Sequence, residues 1–327
     1  MIATLNQPFL RRVLFGSALL FVAGLAPSSS VVRGKEAPDD WAVKAPLAPR
    51  SLLLDASERD GRLVVVGERG HILVSEDGGQ SWTQADVPTR VLLTGVFMQD
   101  GKLGWAVGHD EVVVRTRDGG LRWEQVRSAP EEERPLLDVW FKDEQRGLAV
   151  GAYGSLLATR DGGESWEPRV VVEGDDFHLN GIAQAPDGSL YLAAEAGRLY
   201  RSDDGGDTWK SLTSPYSGSF FGVLPLTDGD LLAFGLRGNL FRSVDRGATW
   251  TRIETGTEAT LTAALEIGPG RFVVAGLAGT LLWSDGGGPL RLQEMPDRKG
   301  IVALARPDDR NLLLVGEGGV QRVEIAP

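Results

Sequence analysis

The chain has 327 residues, 42% of them hydrophobic and 24% charged, so it is long enough to bury a large core. It has no cysteine, which excludes disulfides, thiolate metal sites and cysteine nucleophiles. Its formal net charge of -11 argues against nucleic acid as a partner, because phosphate binding draws on Lys and Arg. From the N-terminus, Arg11-Arg12 precede the uncharged apolar run Val13–Ala26 and then small residues from Pro27 to Ser30. That order predicts an export signal and linker over residues 1–37, and hence a periplasmic or otherwise exported protein. The apolar run is short for a membrane span, which needs about 20 residues.

Beyond the signal an eight-residue stretch recurs. Ser75–Trp82 reads S-E-D-G-G-Q-S-W, and Thr116–Trp123, Thr159–Trp166, Ser202–Trp209 and Ser243–Trp250 repeat its pattern. A worn copy starts at Ser284. The five tryptophans stand 41, 43, 43 and 41 residues apart, and a fixed period of that size marks a repeat architecture. Ahead of each motif lie two apolar runs separated by a turn, whose first residue is at 67, 108, 151, 194, 235, 276 and 316. Seven units of four short β-rich runs predict an all-β fold, a seven-bladed β-propeller with four antiparallel strands per blade, over residues 38–327.

The seventh unit stops after its third run. Trp41 stands 41 residues before Trp82, and Asp40–Pro46 is a near copy of Ser81–Pro88. The N-terminal segment is therefore expected to supply the missing strand and close the ring at Trp41.

In the repeated motif, Asp77, Asp118, Asp161, Asp204 and Asp245 are expected to accept hydrogen bonds from turn N–H groups, with glycines supplying positive φ. Trp82, Trp123, Trp166, Trp209 and Trp250 are expected to cover the gap to a neighbouring blade. The motif resembles the Asp-box, or bacterial neuraminidase repeat. That resemblance implies a structural hairpin on the side away from the ligand face, not a catalytic loop.

A sialidase-like enzyme would need three arginines around a carboxylate, a tyrosine nucleophile and an acid/base pair. Only four tyrosines are present, Tyr153, Tyr191, Tyr200 and Tyr216, and none has an evident Glu partner in the sequence. The three histidines, His71, His109 and His178, fall at inequivalent places in three repeats, so no metal site is expected. No phosphate loop, dinucleotide fingerprint or nucleophile elbow occurs, and no cofactor is implied.

Candidate binding residues are arginines on the opposite loops. Arg50 and Arg90 occupy equivalent places before an inner strand, Arg134 falls within one position of the same register, and Arg69 and Arg237 sit in turns. An arginine fork suits an acidic segment or a C-terminal carboxylate.

The unit G-W-A-V-G…T-x-D-G-G-x-x-W, seen at Gly104–Trp123 with Gly147–Trp166 close to it, resembles the photosystem II stability/assembly factor family. The resemblance implies a seven-bladed propeller exported to the thylakoid lumen or periplasm, acting without catalysis on a newly inserted membrane subunit. It also carries that family's arginine patch to Arg50, Arg90 and Arg134. The expectation is a monomeric, non-enzymatic scaffold for a membrane-protein client, associated with a transporter in a non-photosynthetic host. The alternative is a carbohydrate-active enzyme or lectin.

Overall fold

Apolar runs without alternation, such as Leu63–Val66 and Ala106–Val107, need a strand buried on both faces. The fold provides that burial by stacking sheets around a ring. The computed structural model describes residues 40–325, which fall within one unit spanning Pro38–Pro327. The expected export signal lies outside the described residues. Seven antiparallel sheets follow one another as blades, their strands running in sequence order from the axis outward. Blade 1 is Leu53–Arg59, Arg62–Gly67, Ile72–Ser75 and Thr83–Gln84. The inner strands of blades 2 to 7 are Leu93–Met98, Leu136–Phe141, Leu179–Gln184, Phe220–Pro225, Leu261–Gly268 and Ile301–Asp308. No α-helix occurs among the described residues. The all-β, seven-bladed propeller expected from the repeat is the observed fold.

Every second strand ends at the predicted turn residue: Gly67, Gly108, Gly151, Ala194, Gly235, Gly276 and Gly316. The reason is a close approach. A Cβ on Gly67 would lie 2.2 Å from the Leu52 carbonyl oxygen, and one on Gly316 would lie 2.1 Å from that of Gly300. The inner strand crowds this point because it carries a β-bulge at its second residue in every blade: Leu54, Thr94, Leu137, Asn180, Phe221, Thr262 and Val302.

Several of these residues tie one blade to the next. The Thr94 hydroxyl donates to the Leu136 carbonyl at 2.7 Å, and the Asn180 amide donates to the Phe220 carbonyl at 2.8 Å. The Asp55 carboxylate accepts from the Val96 N–H at 2.8 Å, and that of Asp138 accepts from the Ile182 N–H at 2.9 Å. Such bonds run around the axis and hold the inner strands in register.

The core divides into seven clusters, one in each gap between blades. The Asp-Gly-Gly turns feed these clusters. In blade 1 the Ser75 hydroxyl accepts from the Gly79 N–H at 2.8 Å, and Asp77 accepts from the N–H groups of Gln80 and Ser81 at 3.0 and 2.9 Å. Asp118, Asp161, Asp204 and Asp245 accept in the same way from their own turns. The second glycine then abuts the preceding blade: Gly79 faces Leu313, Gly120 faces Val74 and Gly206 faces Leu148. The tryptophan folds back over its turn, with Trp123 Nε1 donating to the Gly120 carbonyl at 2.8 Å.

Closure differs from the expectation. Among the described residues the last sheet has three strands, Ile301–Asp308, Asn311–Gly316 and Gly319–Glu324, and no N-terminal strand pairs with it. Residues 41–45 lie instead along blade 1. The Ala42 N–H donates to the Val87 carbonyl at 2.9 Å, and the Gln84 amide both accepts from the Ala45 N–H and donates to the Val43 carbonyl. Arg90 donates to the Trp41 carbonyl at 2.7 Å. Gln84 thus satisfies from a side chain the backbone groups that a sheet ladder would otherwise take. The ring closes through packing. Pro49 and Arg50 pass over Gly319 as Thr89 and Arg90 pass over Gly70, and Ala48 is buried with Leu53, Leu313 and Val315 between blades 7 and 1.

Candidate partner-binding face

The two ends of the propeller are built differently. At one end the Asp-Gly-Gly turns meet the hairpins between first and second strands: the Gly119 N–H donates to Lys102 and the Gly162 N–H to Gln145. At the other end the turns between second and third strands meet the connections that lead into each inner strand: the Gly70 N–H donates to Val91 and the Gly154 N–H to Phe177.

In blades 1 to 6 each of these latter turns is a short 3-10 turn with a left-handed residue at its tip. The tips are Arg69, Asp110, Tyr153, Ala196, Arg237 and Ala278, with φ between 52° and 59°. A side chain there projects away from the blade, so the tip is free to vary between repeats. The next residue is held tightly. A Cβ on Gly70 would stand 2.0 Å from the Thr89 carbonyl oxygen, and Gly197, Gly238 and Gly319 meet equivalent backbone. Glycine there serves both a positive φ and a close approach.

Blade 2 breaks the pattern with Glu111 in the glycine's place, at φ 46°. The Pro130–Glu132 turn and Glu133, also at positive φ, reshape the connection opposite it. The Glu111 side chain is buried and paired with Arg127, with Arg134 3.8 Å away.

All five sequence-predicted arginines fall on this face. Arg50, Arg69 and Arg237 are exposed and have no carboxylate within ion-pair distance among the described residues. Arg90 is exposed, but its Nε is committed to Trp41. Arg134 is not a free rim cation. It pairs with Glu132 and with the buried Glu111, so it belongs to the support of blade 2. Beside it a cleft of 530 Å³ is lined by Tyr153, Trp166, Val171 and Val172, together with the Glu111, Arg127 and Arg134 network. His71 lies buried behind Arg69, within 3.1 Å of the Ser51 hydroxyl, and burial lowers its pKa.

The axial channel opens here as well. It encloses 270 Å³ and is ringed by the bulge residues of the seven inner strands. Asp55 and Asp138 face into it. Burial pushes both acids up, Asp55 to about 8 with the charge of Asp138 adding to the shift, and Asp138 to about 6. The sequence reading did not single out these two. Their signal was present in the aligned repeats, where the same place holds Gly95, Gly181, Gly222, Ala263 and Ala303.

No tyrosine is set up as a nucleophile. Tyr200 donates to Asp175 at 2.9 Å, and burial together with that carboxylate pushes its pKa up, which keeps the phenol neutral. Tyr153 is exposed at its turn tip against His178. No group of three or more His, Cys, Asp or Glu side chains converges on a metal-sized site among the described residues.

The blades and turns define a class: a seven-bladed propeller locked by Asp-Gly-Gly-Trp hairpins, with a variable face on the opposite side. Within that class the chain resembles the photosystem II stability/assembly factor-like family of propellers. The family model for "Photosynthesis system II assembly factor YCF48" matches residues 39–132 and 129–190. Photosystem II assembly protein Ycf48 of Synechococcus sp. (strain JA-2-3B'a(2-13)) is 34% identical over 134 residues, 39% of each chain. Photosystem II stability/assembly factor HCF136, chloroplastic, of Arabidopsis thaliana is 25% identical over 126 residues, 36% of this chain and 31% of its own length. The matched stretch therefore spans well under half of either relative.

Among solved structures, YCF48 bound to D1 peptide superposes with a TM-score of 0.69 at 20% identity, covering 89% of this chain and 98% of that one. YCF48 from Cyanidioschyzon merolae gives 0.68 at 16% identity, covering 86% and 98%. Inactive virginiamycin B lyase from Staphylococcus aureus with quinupristin gives 0.73 at 10% identity, covering 85% and 96%. At such identities these likenesses establish the fold. An enzyme stands among them, so the ring itself does not decide between binding and catalysis.

Proposed function

We propose that this chain is an exported, non-enzymatic assembly factor that captures a segment of a membrane-protein client on the face carrying the turn tips. The client class follows from the family, and from the YCF48 structure that carries a D1 peptide. In a host without a photosystem, the client is a subunit of a membrane transport complex. The observation that carries the reading is the set of exposed arginines on one face, Arg50, Arg69 and Arg237 unpaired and Arg90 beside them, on a chain of net charge -11. They suit an acidic segment or a chain-terminal carboxylate. No helix among the described residues is long and apolar enough to cross a membrane, so the client would be met at the membrane surface.

The test is capture of a D1-type peptide and of detergent-solubilised membranes by the protein without residues 1–37. Replacing Arg50, Arg69 and Arg90 together with alanine is expected to weaken peptide capture at least about tenfold. The melting temperature should not change. Undiminished capture by the triple variant rejects the site. A glycan array binding strongly, with no membrane client, rejects the function.

A further inference from the structure

Six of the seven gaps between blades contain an indole. Trp82 lies in the gap between blades 7 and 1, Trp123 between 1 and 2, Trp166 between 2 and 3, Trp209 between 3 and 4, and Trp250 between 4 and 5. Blade 7 has no Asp-Gly-Gly turn. Its gap with blade 6 is filled from the other side by Trp283, buried against Ile301 and Leu314. The gap between blades 5 and 6 has no tryptophan in its cluster.

Strand register explains the vacancy. In blade 5, Arg242 pairs with Thr251, the residue after Trp250. In blade 6, Trp283 pairs with Arg291, so Leu290 stands where the tryptophan should be. The turn before it is one residue shorter and runs through Gly286, Gly287 and Gly288, and a Cβ on either of the last two would meet nothing within 4 Å. A leucine in an indole's place leaves space. The space is a cleft of 340 Å³ lined by Leu290, Phe272, Ile253, Thr251 and Val244. Val244 at its rim is 74% exposed. The one charged residue of the lining, Arg242, is held by Asp230 at 2.6 Å and by Asp228, so the cleft suits an uncharged ring.

We infer that this cleft is a receptor for one tryptophan side chain supplied by a partner polypeptide. The sister gaps are the template, since each equivalent place accepts an indole laid over a glycine turn against the preceding blade. The volume lies near the lower end of the about 300–1,000 Å³ usual for ligand clefts, which fits a single side chain and not a larger ligand. The cleft lies on the side of the Asp-Gly-Gly turns, opposite the arginine face, so its occupant is a second contact.

The test titrates N-acetyl-tryptophanamide, and a pentapeptide with a central tryptophan, into the protein without residues 1–37, followed by saturation-transfer NMR. Both are expected to bind with dissociation constants of about a millimolar, as befits one ring. N-acetyl-lysinamide should not compete. Leu290→Trp fills the cleft from within and should abolish binding while raising the melting temperature. Val244→Lys, at an exposed rim position that does not threaten folding, should weaken binding at least about tenfold by charging the mouth. Arg50→Ala and Arg90→Ala should leave it unchanged, which separates this site from the arginine face. Equal affinity in wild type, Leu290→Trp and Val244→Lys overturns the proposal, as does absence of binding by wild type. Binding of the amide without the peptide overturns the polypeptide source.

Discussion

At the scale of single residues, two carboxylate sets pull the pH dependence in opposite directions. Asp204 and Asp245 are held at about 2 by bonds from Thr208 and Thr249, beginning with the threonine hydroxyls. Their folded pKa lies below the unfolded one, so their contribution is present above about pH 4 and is lost as pH falls towards 2. Asp204→Ala is expected to lower the melting temperature at pH 7 and to converge on wild type near pH 2. Asp55 and Asp138 have raised pKa values, near 8 and 6, chiefly because burial disfavours the charged form. Here the folded state holds the proton more tightly, so stability declines as pH rises from about 4 through 8. Asp55→Asn keeps an acceptor for the Val96 N–H and removes the ionisation. Its melting temperature should exceed that of wild type by clearly more at pH 9 than at pH 5, with only the part due to Asp138 left of the alkaline decline. An alkaline decline as large as that of wild type would reject the assignment. Backbone demands are equally local. Gly70→Ala forces a Cβ into the Thr89 carbonyl and should cost about 2 kcal/mol or more in denaturant unfolding. Gly61→Ala meets nothing within 4 Å and should cost about 1 kcal/mol.

At the scale of elements, the N-terminal segment and the buried Arg115 differ from a plain repeat. Residues 41–45 add hydrogen bonds to the edge of blade 1 and none to the ladder of blade 7. Deleting residues 38–46 is therefore expected to cost only about 1–3 kcal/mol, a few net hydrogen bonds. Extending the deletion to Arg50 removes Ala48 from the core and Pro49 from over Gly319, and should cost clearly more in the same unfolding measurement. Arg115, on the third strand of blade 2, donates to the Gly162 carbonyl at 2.9 Å and pairs with Glu164 in blade 3. Its side chain is buried, so Arg115→Ala should cost about 2–3 kcal/mol by removing the bond across to blade 3 and leaving a void, although Trp105 Nε1 still donates to the Gly162 carbonyl. At the same position in blades 4 and 5, Arg201 and Arg242 turn back to acids of their own blade. The same residue type in the same register thus makes different bonds.

At the scale of the whole molecule, closure by packing has a consequence. Among the described residues no strand pairs with the outer edge of Gly319–Glu324, and its Gln321, Arg322 and Glu324 side chains suit an edge. The junction of blades 7 and 1 rests on Leu313 against Gly79 and on the shared apolar cluster. It is expected to be the first to open, and amide exchange should be faster in Gly319–Glu324 than in the equivalent Val113–Thr116 strand of blade 2. The candidate face is also a property of the whole ring. Arg50, Arg69 and Arg90 come from the chain start and blade 1, and Arg237 from blade 5, and only the closed ring places them at one end.

The sequence by itself determined the number of blades, the ends of the second strands and the role of the Asp-Gly-Gly-Trp turns. Those features recur every 41 to 43 residues, so each copy repeats the same local physics: a close approach that only glycine fits well, a carboxylate over N–H groups, an indole over a gap. Arg50, Arg69, Arg90 and Arg237 were legible as rim residues for the same reason. Tertiary structure decided what repetition cannot encode. Gln84 offers residues 41–45 a partner in blade 1, so Trp41 does not complete blade 7. The buried Glu111 draws Arg134 inward. Asp55 and Asp138 become a pair only across the channel, and the gap at Leu290 exists only because blade 5 stands beside it. Each of these depends on which residue lies opposite in space, and that neighbour is fixed by ring closure and register rather than by distance along the chain.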